Sequence, residues 1–436
     1  MKVAVYGCEL TGLVTAGALA QVGNQVMALP VGFVKVADLE AGVLPREEPG
    51  LANLLAQQQS DQRLHFESDW EKGLVHADVL IIATPSWRMD RAEAIIDLIG
   101  QKVKKDLVVV NQSTFPVGTA DRFEAKLKLA LAERGEVFGV SVVAMPDFLS
   151  EGSAIDNFMR PDRIILGSSS EASIRVMRDL VRPFNRVTDQ IKVMSTRAAE
   201  YTKYAVNALL ATRISLVNEL ANNAEHFNID FEEVRQGLGS DHRIGFNYLY
   251  PGCGFGGPSF AADVRSLVAN LQTMGYDADL LKTVLSNNET QKEVLFRKAW
   301  RFFDNDLRGI KIGVWGLSFK PNTATVENAP SVKAIEAFCA QGAQIKAYDP
   351  KAMMDFSDHW RGAEQVELVD NMYAALEGVD ALIIMTEWKI FWSPDYAQMK
   401  QLMKRPIIFD GRNIYDPEMM VSHGFRYFGV GRGEEV

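Results

Sequence analysis

A chain of 436 residues exceeds what one ordinary hydrophobic core organises, so two or three domains are expected. Hydrophobic residues at 47% and charged residues at 23% are the proportions of a folded globular protein and exclude an intrinsically disordered one. A formal charge of -10 argues against nucleic acid as a partner, while leaving room for a local basic pocket around one nucleotide.

The opening MKVAVYG turns polar too early for a secretory leader and no apolar run reaches membrane-spanning length, so a cytoplasmic protein with no membrane partner is expected. KVAVYG reads as a short buried strand, and the segment through Gln21 has helical apolar spacing, giving strand, turn, helix, strand over residues 2–30. Buried strands recur at Ala77–Pro85 and Asp106–Thr114, each ending in small polar residues where an open parallel sheet forms its ligand crevice. Thr196–Phe227 carries Ala, Leu, Val and Tyr at helical spacing with no Pro or Gly. That pattern suits a central helix bridging two domains, and equally an ordinary core helix of the first. The opening grammar then returns, with KIGVWG at 311–316 echoing KVAVYG and VDALIIMTE at 379–387 echoing ADVLIIATP. The expected fold class is α/β: two Rossmann-like doubly wound domains joined by a long central helix, with boundaries 1–195, 196–295 and 296–436. Cys8, Cys253 and Cys339 are too scattered for metal-ligand spacing and too few for a disulfide framework, so no metal is expected.

Several segments in order carry a more specific signal: EPGL (48–51), STFPVGT (113–119), MPDFLSEGSAIDNFMRPDRIILG (145–167), KYAVNALLATRISLVNEL (203–220), DHRIGFNYLYPGCGFGG (241–257), GLSFKPNT (316–323) and FDGRNIYDP (409–417). Together they resemble the UDP-glucose/GDP-mannose dehydrogenase family, whose members oxidise a sugar C6 alcohol to a carboxylate with two NAD molecules. YLYPGCGFGG is most similar to the bacterial UDP-glucose branch. The resemblance implies an N-terminal NAD-type domain, a central helical dimerisation domain and a C-terminal domain for the nucleotide sugar, UDP-glucose. It places Thr114, Glu151, Lys203, Asn207 and Asp263 at the catalytic centre, where the carboxylates can hold a base or water and Lys203 and Asn207 can stabilise an oxyanion. It places Phe148, Leu149, Arg243, Tyr248, Gly256, Phe319, Lys320 and Arg412 around the nucleotide sugar, with Arg243 reaching across a homodimer. Arg and Lys suit a diphosphate, and the glycines of GCGFGG allow close backbone approach. Ala205, Ala208 and Leu209 share the helix face expected to dimerise.

Five positions depart from the family pattern. In a GGSCFPKD-like segment the family nucleophile is a cysteine, and here Gly256 to Asp263 reads GGPSFAAD, so Ser259 replaces it and Ala262 replaces the lysine. A thiol becomes a thiolate beside a charge, whereas a serine needs a committed base. Cys253, six positions earlier, is a poor substitute because the glycines around it leave its reach uncertain. The NAD fingerprint G-x-G-x-x-G appears as Gly7-Cys8-Glu9-Leu10-Thr11-Gly12, so a carboxylate stands where the pyrophosphate approaches. One like charge at ~4 Å and an effective dielectric of ~20 costs on the order of 4 kcal/mol, or roughly a thousandfold in affinity. Without cofactor, Glu9 is expected to cap the helix as the phosphate would. Pro30 stands where an acidic residue would hold the ribose, the resemblance places Thr84 in the same NAD site, and Glu327 stands where an arginine helps bind NAD.

Three readings remain open: a working UDP-glucose 6-dehydrogenase adjusted around these changes; a binding or regulatory homologue that holds a nucleotide sugar, alone or beside an active paralogue; and an enzyme keeping only the first oxidation or using another dinucleotide.

Overall fold

The computed structural model describes residues 1–185, 189–360 and 365–433. They form two compact units, Met1–Val206 and Asn207–Val436. A single helix of 30 residues, Thr196–Glu225, continues from one into the other. Its length, about 45 Å at 1.5 Å per residue, follows from the unbroken run of helix formers. Among the described residues no helix is long and apolar enough to cross a membrane.

The first unit holds an eight-stranded sheet: β1 (Lys2–Tyr6), β2 (Gln25–Leu29), β3 (Leu64–Phe66), β4 (Val79–Ile82), β5 (Leu107–Asn111), β6 (Val140–Ala144), β7 (Ile164–Gly167) and β8 (Ile191–Met194). Their order is β3-β2-β1-β4-β5-β6-β7-β8, parallel except where β7 meets β6. Alternate residues enter two cores. Val3, Val5, Val79 and Ile81 face one layer of helices, and Ala4, Tyr6, Leu80 and Ile82 face the other. A strand buried on both sides has to be a continuous apolar run, which is why these segments stood out in the sequence. The chain reverses direction across the sheet between β1 and β4, and the carboxyl ends of those strands open the ligand crevice of a doubly wound fold.

The second unit holds six parallel strands: β9 (Lys311–Trp315), β10 (Gln344–Tyr348), β11 (Val366–Leu368), β12 (Ala381–Ile384), β13 (Ile407–Asp410) and β14 (Arg426–Phe428). Their order, β11-β10-β9-β12-β13-β14, repeats that of the first six strands of the other sheet. The two echoed sequence pairs fall on β1 and β9 and on β4 and β12. The expected α/β class with two Rossmann-like sheets and a long joining helix is borne out.

Gly7, just after β1, has φ +121, and a Cβ there would lie 2.2 Å from the Ala83 carbonyl oxygen. Gly23, with φ +98, would meet nothing within 4 Å. Both substitutions to Ala carry backbone strain, and only Gly7→Ala adds a backbone clash. Gly7→Ala should therefore destabilise the protein by about 1–3 kcal/mol more than Gly23→Ala. Equal thermal midpoints for the two variants would show that the turn after β1 is not tightly packed.

Candidate active site

In the first unit the site begins at the turn from β1 into the first helix, Leu10–Gln21. Gly7 donates its N–H to Leu29 O at the end of β2 (2.9 Å), and a Cβ on it would fall 2.2 Å from Ala83 O and 3.2 Å from Thr84 N, just after β4. A Cβ on Gly12 would fall 1.9 Å from Gly7 O. The first and third glycines of the fingerprint are thus demanded by protein packing. The middle position is not: Glu9 takes ordinary extended angles, φ -78 and ψ -177, as the helix N-cap residue. Its side chain makes no capping hydrogen bond, contrary to the expectation that it would replace a phosphate. Short side chains such as Asp or Ser close that ring best, and glutamate is one methylene too long. Among the described residues its carboxylate has no paired cation. Burial first, and the Glu9 charge second, push the Cys8 thiol well above its ordinary range. Pro30 follows β2, and its carbonyl accepts from Trp70 Nε1 (3.2 Å). Thr84 and Ser113 share a hydroxyl contact of 3.3 Å, and Thr114 follows in the turn after β5.

The segment after β6 brings Phe148, Leu149 and Glu151 into the same unit as Lys203. Lys203 Nζ donates to Asp147 O (2.7 Å) and Asp147 Oδ1 (3.2 Å), and lies 5.5 Å from the centre of the Phe148 ring. Leu149 N also donates to Asp147 Oδ1 (3.2 Å). Glu151 pairs with Arg46 at 3.4 Å. Glu48 of the EPGL segment is buried and accepts from Gly152 N (2.6 Å) and Ala154 N (2.7 Å), fixing the chain beside Glu151. Glu200 does the same for the STFPVGT turn, accepting from Gly118 N (2.6 Å) and Ala120 N (2.8 Å). Burial raises the Glu200 carboxyl, and those two donors pull it back.

The second unit carries its own set. Asn207 Nδ2 donates to Asp263 Oδ2 at 2.7 Å, and Asp263 is buried in the first turn of the helix Phe260–Thr273. Ser259 is the N-cap residue of that helix but makes no side-chain cap bond. It is exposed, and among the described residues no base is bonded to its hydroxyl. Cys253 is fully buried, its Sγ directed at Met385 O (3.7 Å). Burial pushes its thiol up, and the Arg412 charge opposes this.

The GCGFGG loop is clamped. Gly252 N donates to Asn218 Oδ1 (2.8 Å), Gln291 Nε2 to Gly252 O (2.7 Å) and Phe255 N to Asn288 Oδ1 (2.8 Å). A Cβ at Gly256 would lie 2.6 Å from Asn328 O, and one at Gly257 would lie 2.7 Å from the Phe319 ring. The close approach expected toward a ligand is, at these two glycines, an approach to the protein itself. Gly257 N donates to the carbonyl of Glu327 (3.1 Å), whose exposed side chain follows the loop after β9. Arg412, after β13, donates from Nε to Met385 O (2.8 Å) and from Nη2 to Phe319 O (3.3 Å), and pairs with Glu387 at 3.1 Å. Lys320 Nζ sits 5.4 Å from the Phe319 ring centre. Phe319, Lys320, Gly256 and Arg412 are thereby brought together. Arg243 and Tyr248 belong to the separate 241–250 segment, where Arg243 is exposed and forked onto Asp241 (2.6–3.2 Å).

Asp147, Glu387, Asn218 and Asn288 were not singled out from the sequence. Asp147 lies inside MPDFLSEG and Glu387 ends the strand echo VDALIIMTE, so a search for a carboxylate beside each predicted cation could have found both. The two asparagines act through backbone groups and leave no periodic signal. Among the described residues no group of three His, Cys, Asp or Glu could hold a metal ion.

The chain matches three models of one family: the UDP-glucose/GDP-mannose dehydrogenase NAD binding domain over residues 1–185, the central domain over 197–290 and the UDP binding domain over 313–417. It is 41% identical to a UDP-glucose 6-dehydrogenase of Pseudomonas aeruginosa, covering 99% of this chain and 98% of that one. It is 38% identical to a UDP-glucose 6-dehydrogenase of Bacillus subtilis over the same proportions. Among solved structures it resembles a UDP-glucose dehydrogenase of the archaeon Pyrobaculum islandicum, with a TM-score of 0.87, 30% identity and coverage of 99% and 98%. With its paired Rossmann-like sheets, the clamped GCGFGG loop and matches along nearly its whole length, this chain belongs to the UDP-glucose/GDP-mannose dehydrogenase family.

Proposed function

We propose that the protein binds a UDP-sugar, UDP-glucose foremost, and does not carry it through NAD-dependent oxidation to the uronate. The observation that carries this reading is Glu9: a carboxylate with no paired cation among the described residues, at the N-cap of the helix on which a pyrophosphate would rest. Its backbone angles are relaxed, so the fold tolerates the side chain, and the loss falls on the ligand alone. At the ribose position Pro30 supplies no acceptor side chain, and its carbonyl is engaged by Trp70. These residues do not fit NAD.

Two further features support loss of the double oxidation. Among the described residues no base is bonded to Ser259, and the nearest alternative nucleophile in sequence, Cys253, is sealed in the core with its thiol proton held. The UDP-sugar assignment is supported by the matched UDP binding domain, by the names of the relatives, and by the grouping of Phe319, Lys320 and Arg412. A guanidinium fixed by Glu387 and two carbonyls is pre-oriented for phosphate oxygens, and the Lys320 ammonium adds a point charge. The Asn207–Asp263 pair favours a second reading, in which an alcohol is still positioned and the first oxidation alone survives. We also propose a homodimer. Leu209, Leu216 and Leu220 lie at helical spacing on the joining helix and are exposed, a stripe suited to a second copy, whereas Ala208 of the expected face is buried.

The combined substitution Glu9→Gly and Ser259→Cys should restore NADH production from UDP-glucose and NAD, starting from a parent with none. The single Glu9→Gly change should raise NAD affinity by up to roughly a thousandfold. Ordinary dehydrogenase turnover by the unaltered protein would refute the proposal, and NADH release stopping at one equivalent would favour the second reading.

Thiol reagents offer an independent check. Cys8 and Cys253 should stay unlabelled in the native protein at neutral pH, with only slow labelling at Cys339, whose thiol burial has pushed up to about 11. Rapid modification of Cys253 would reopen it as a nucleophile.

A further inference from the structure

The 241–250 segment carries two residues assigned to the sugar site, Arg243 and Tyr248, and its conformation is not one the backbone prefers. Tyr248 has φ +61, the left-handed region that a bulky side chain avoids. Something must hold it. Arg213, on the joining helix, donates from Nη2 to Ile244 O (2.7 Å) and Gly245 O (2.6 Å), closing the first half of the segment. The second half rests on the helix Phe231–Ser240. Gly239 is bare there, and a Cβ would lie 2.2 Å from Phe246, so the ring packs directly on the helix.

One turn earlier on the same face stands Arg235. It is 7% exposed, unusually buried for an arginine. Its guanidinium carbon lies 4.4 Å from the ring centre of Tyr250 and 5.6 Å from that of Phe246. Nε and Nη2 fork onto Glu232 at 2.8 and 2.6 Å, which orients the plane, while Nη1 is buried with no hydrogen bond of ordinary geometry among the described residues and has the Tyr250 side chain beside the guanidinium. A buried donor left unsatisfied is costly unless another interaction compensates, and two aromatic faces supply that compensation. Glu232 is itself fixed, because its N–H donates to Asp230 Oδ1 (2.8 Å), and Arg432 holds the other Asp230 oxygen at 3.1 Å.

We propose that Arg235 is a positioning residue for nucleotide-sugar binding. Through the faces of Phe246 and Tyr250 it locks the 241–250 segment in the strained conformation that presents Arg243 and Tyr248. The inference rests on the reading of this protein as a UDP-sugar binder, and deepens it by naming what preorganises the segment. Arg235 itself touches no ligand in this account. Its side chain acts beneath the segment, and its removal frees residues 241–250 to leave the left-handed turn, so that binding has to re-order them.

The test is calorimetric titration with UDP-glucose of the full chain, of Arg235→Met and of Tyr250→Leu, together with amide hydrogen exchange of each unliganded protein. Tyr250 is exposed, so its substitution leaves the core intact if Arg235→Met folds poorly. Both variants should bind UDP-glucose roughly tenfold more weakly. Exchange should accelerate within 241–250 and stay unchanged in β9, β12 and β13. Wild-type binding with an unchanged Kd in the variants, or exchange that rises evenly through the unit, would overturn the positioning role while leaving the UDP-sugar reading intact. A merely structural arginine would lower the thermal midpoint without moving a Kd measured well below it. Failure of the unaltered protein to bind UDP-glucose would overturn the binding reading and this inference with it.

Discussion

The turn that leaves β1 closes only because Gly7 and Gly12 have no side chains. Gly7 is pressed against the Ala83 carbonyl, and Gly12 is pressed against Gly7 in turn. This double contact fixes the start of the first helix over the crevice between β1 and β4, and with it the direction of that helix's unpaired N–H groups. The geometry of an anion site is therefore kept by packing, whether or not an anion is ever bound. Glu9, with relaxed backbone angles and no side-chain cap bond, is the position at which this turn carries a charge.

The same separation of scaffold from chemistry runs through the second unit. Asn218, Asn288 and Gln291 hold the GCGFGG loop by backbone hydrogen bonds, and the glycines let it pass Phe319 and Asn328. None of this depends on whether residue 259 is a cysteine or a serine, because that residue stands exposed at the head of its helix. Glu9 and Ser259, two of the departing positions, are helix N-cap residues without a side-chain cap bond, where a side chain can be exchanged with little effect on the fold. The supporting carboxylates Asp147, Glu387, Glu48 and Glu200 are tied into hydrogen-bond networks that hold the site's cations and turns in place.

The fold was legible in the sequence because strands buried on both faces must be apolar throughout, so β1, β4, β5, β9 and β12 announced themselves, and the echo between the two halves disclosed the second sheet. The short edge strands β3 and β11 carry too few buried residues to do so. The candidate site was drawn from motif order, which singled out Lys203, Asn207, Asp263 and Arg412. Their partners were harder to see. Lys203 and Asp147 are 56 positions apart, and Arg412 and Glu387 meet only because β12 and β13 are adjacent. The capping role expected of Glu9 failed because charge at a helix N-terminus is not enough: the side chain must also have the length to fold back. Arg235 was invisible for another reason: its i,i+3 pair with Glu232 looks like any helix-surface pair, and its contacts with the Phe246 and Tyr250 rings leave no spacing rule in a loop.

The measurement that bears most directly on this account is calorimetric titration of the purified protein with NAD, alone and with saturating UDP-glucose. The account predicts heat from UDP-glucose and none from NAD in either condition. Micromolar NAD binding would contradict it, and would mean that the turn at Glu9 rearranges to admit a pyrophosphate.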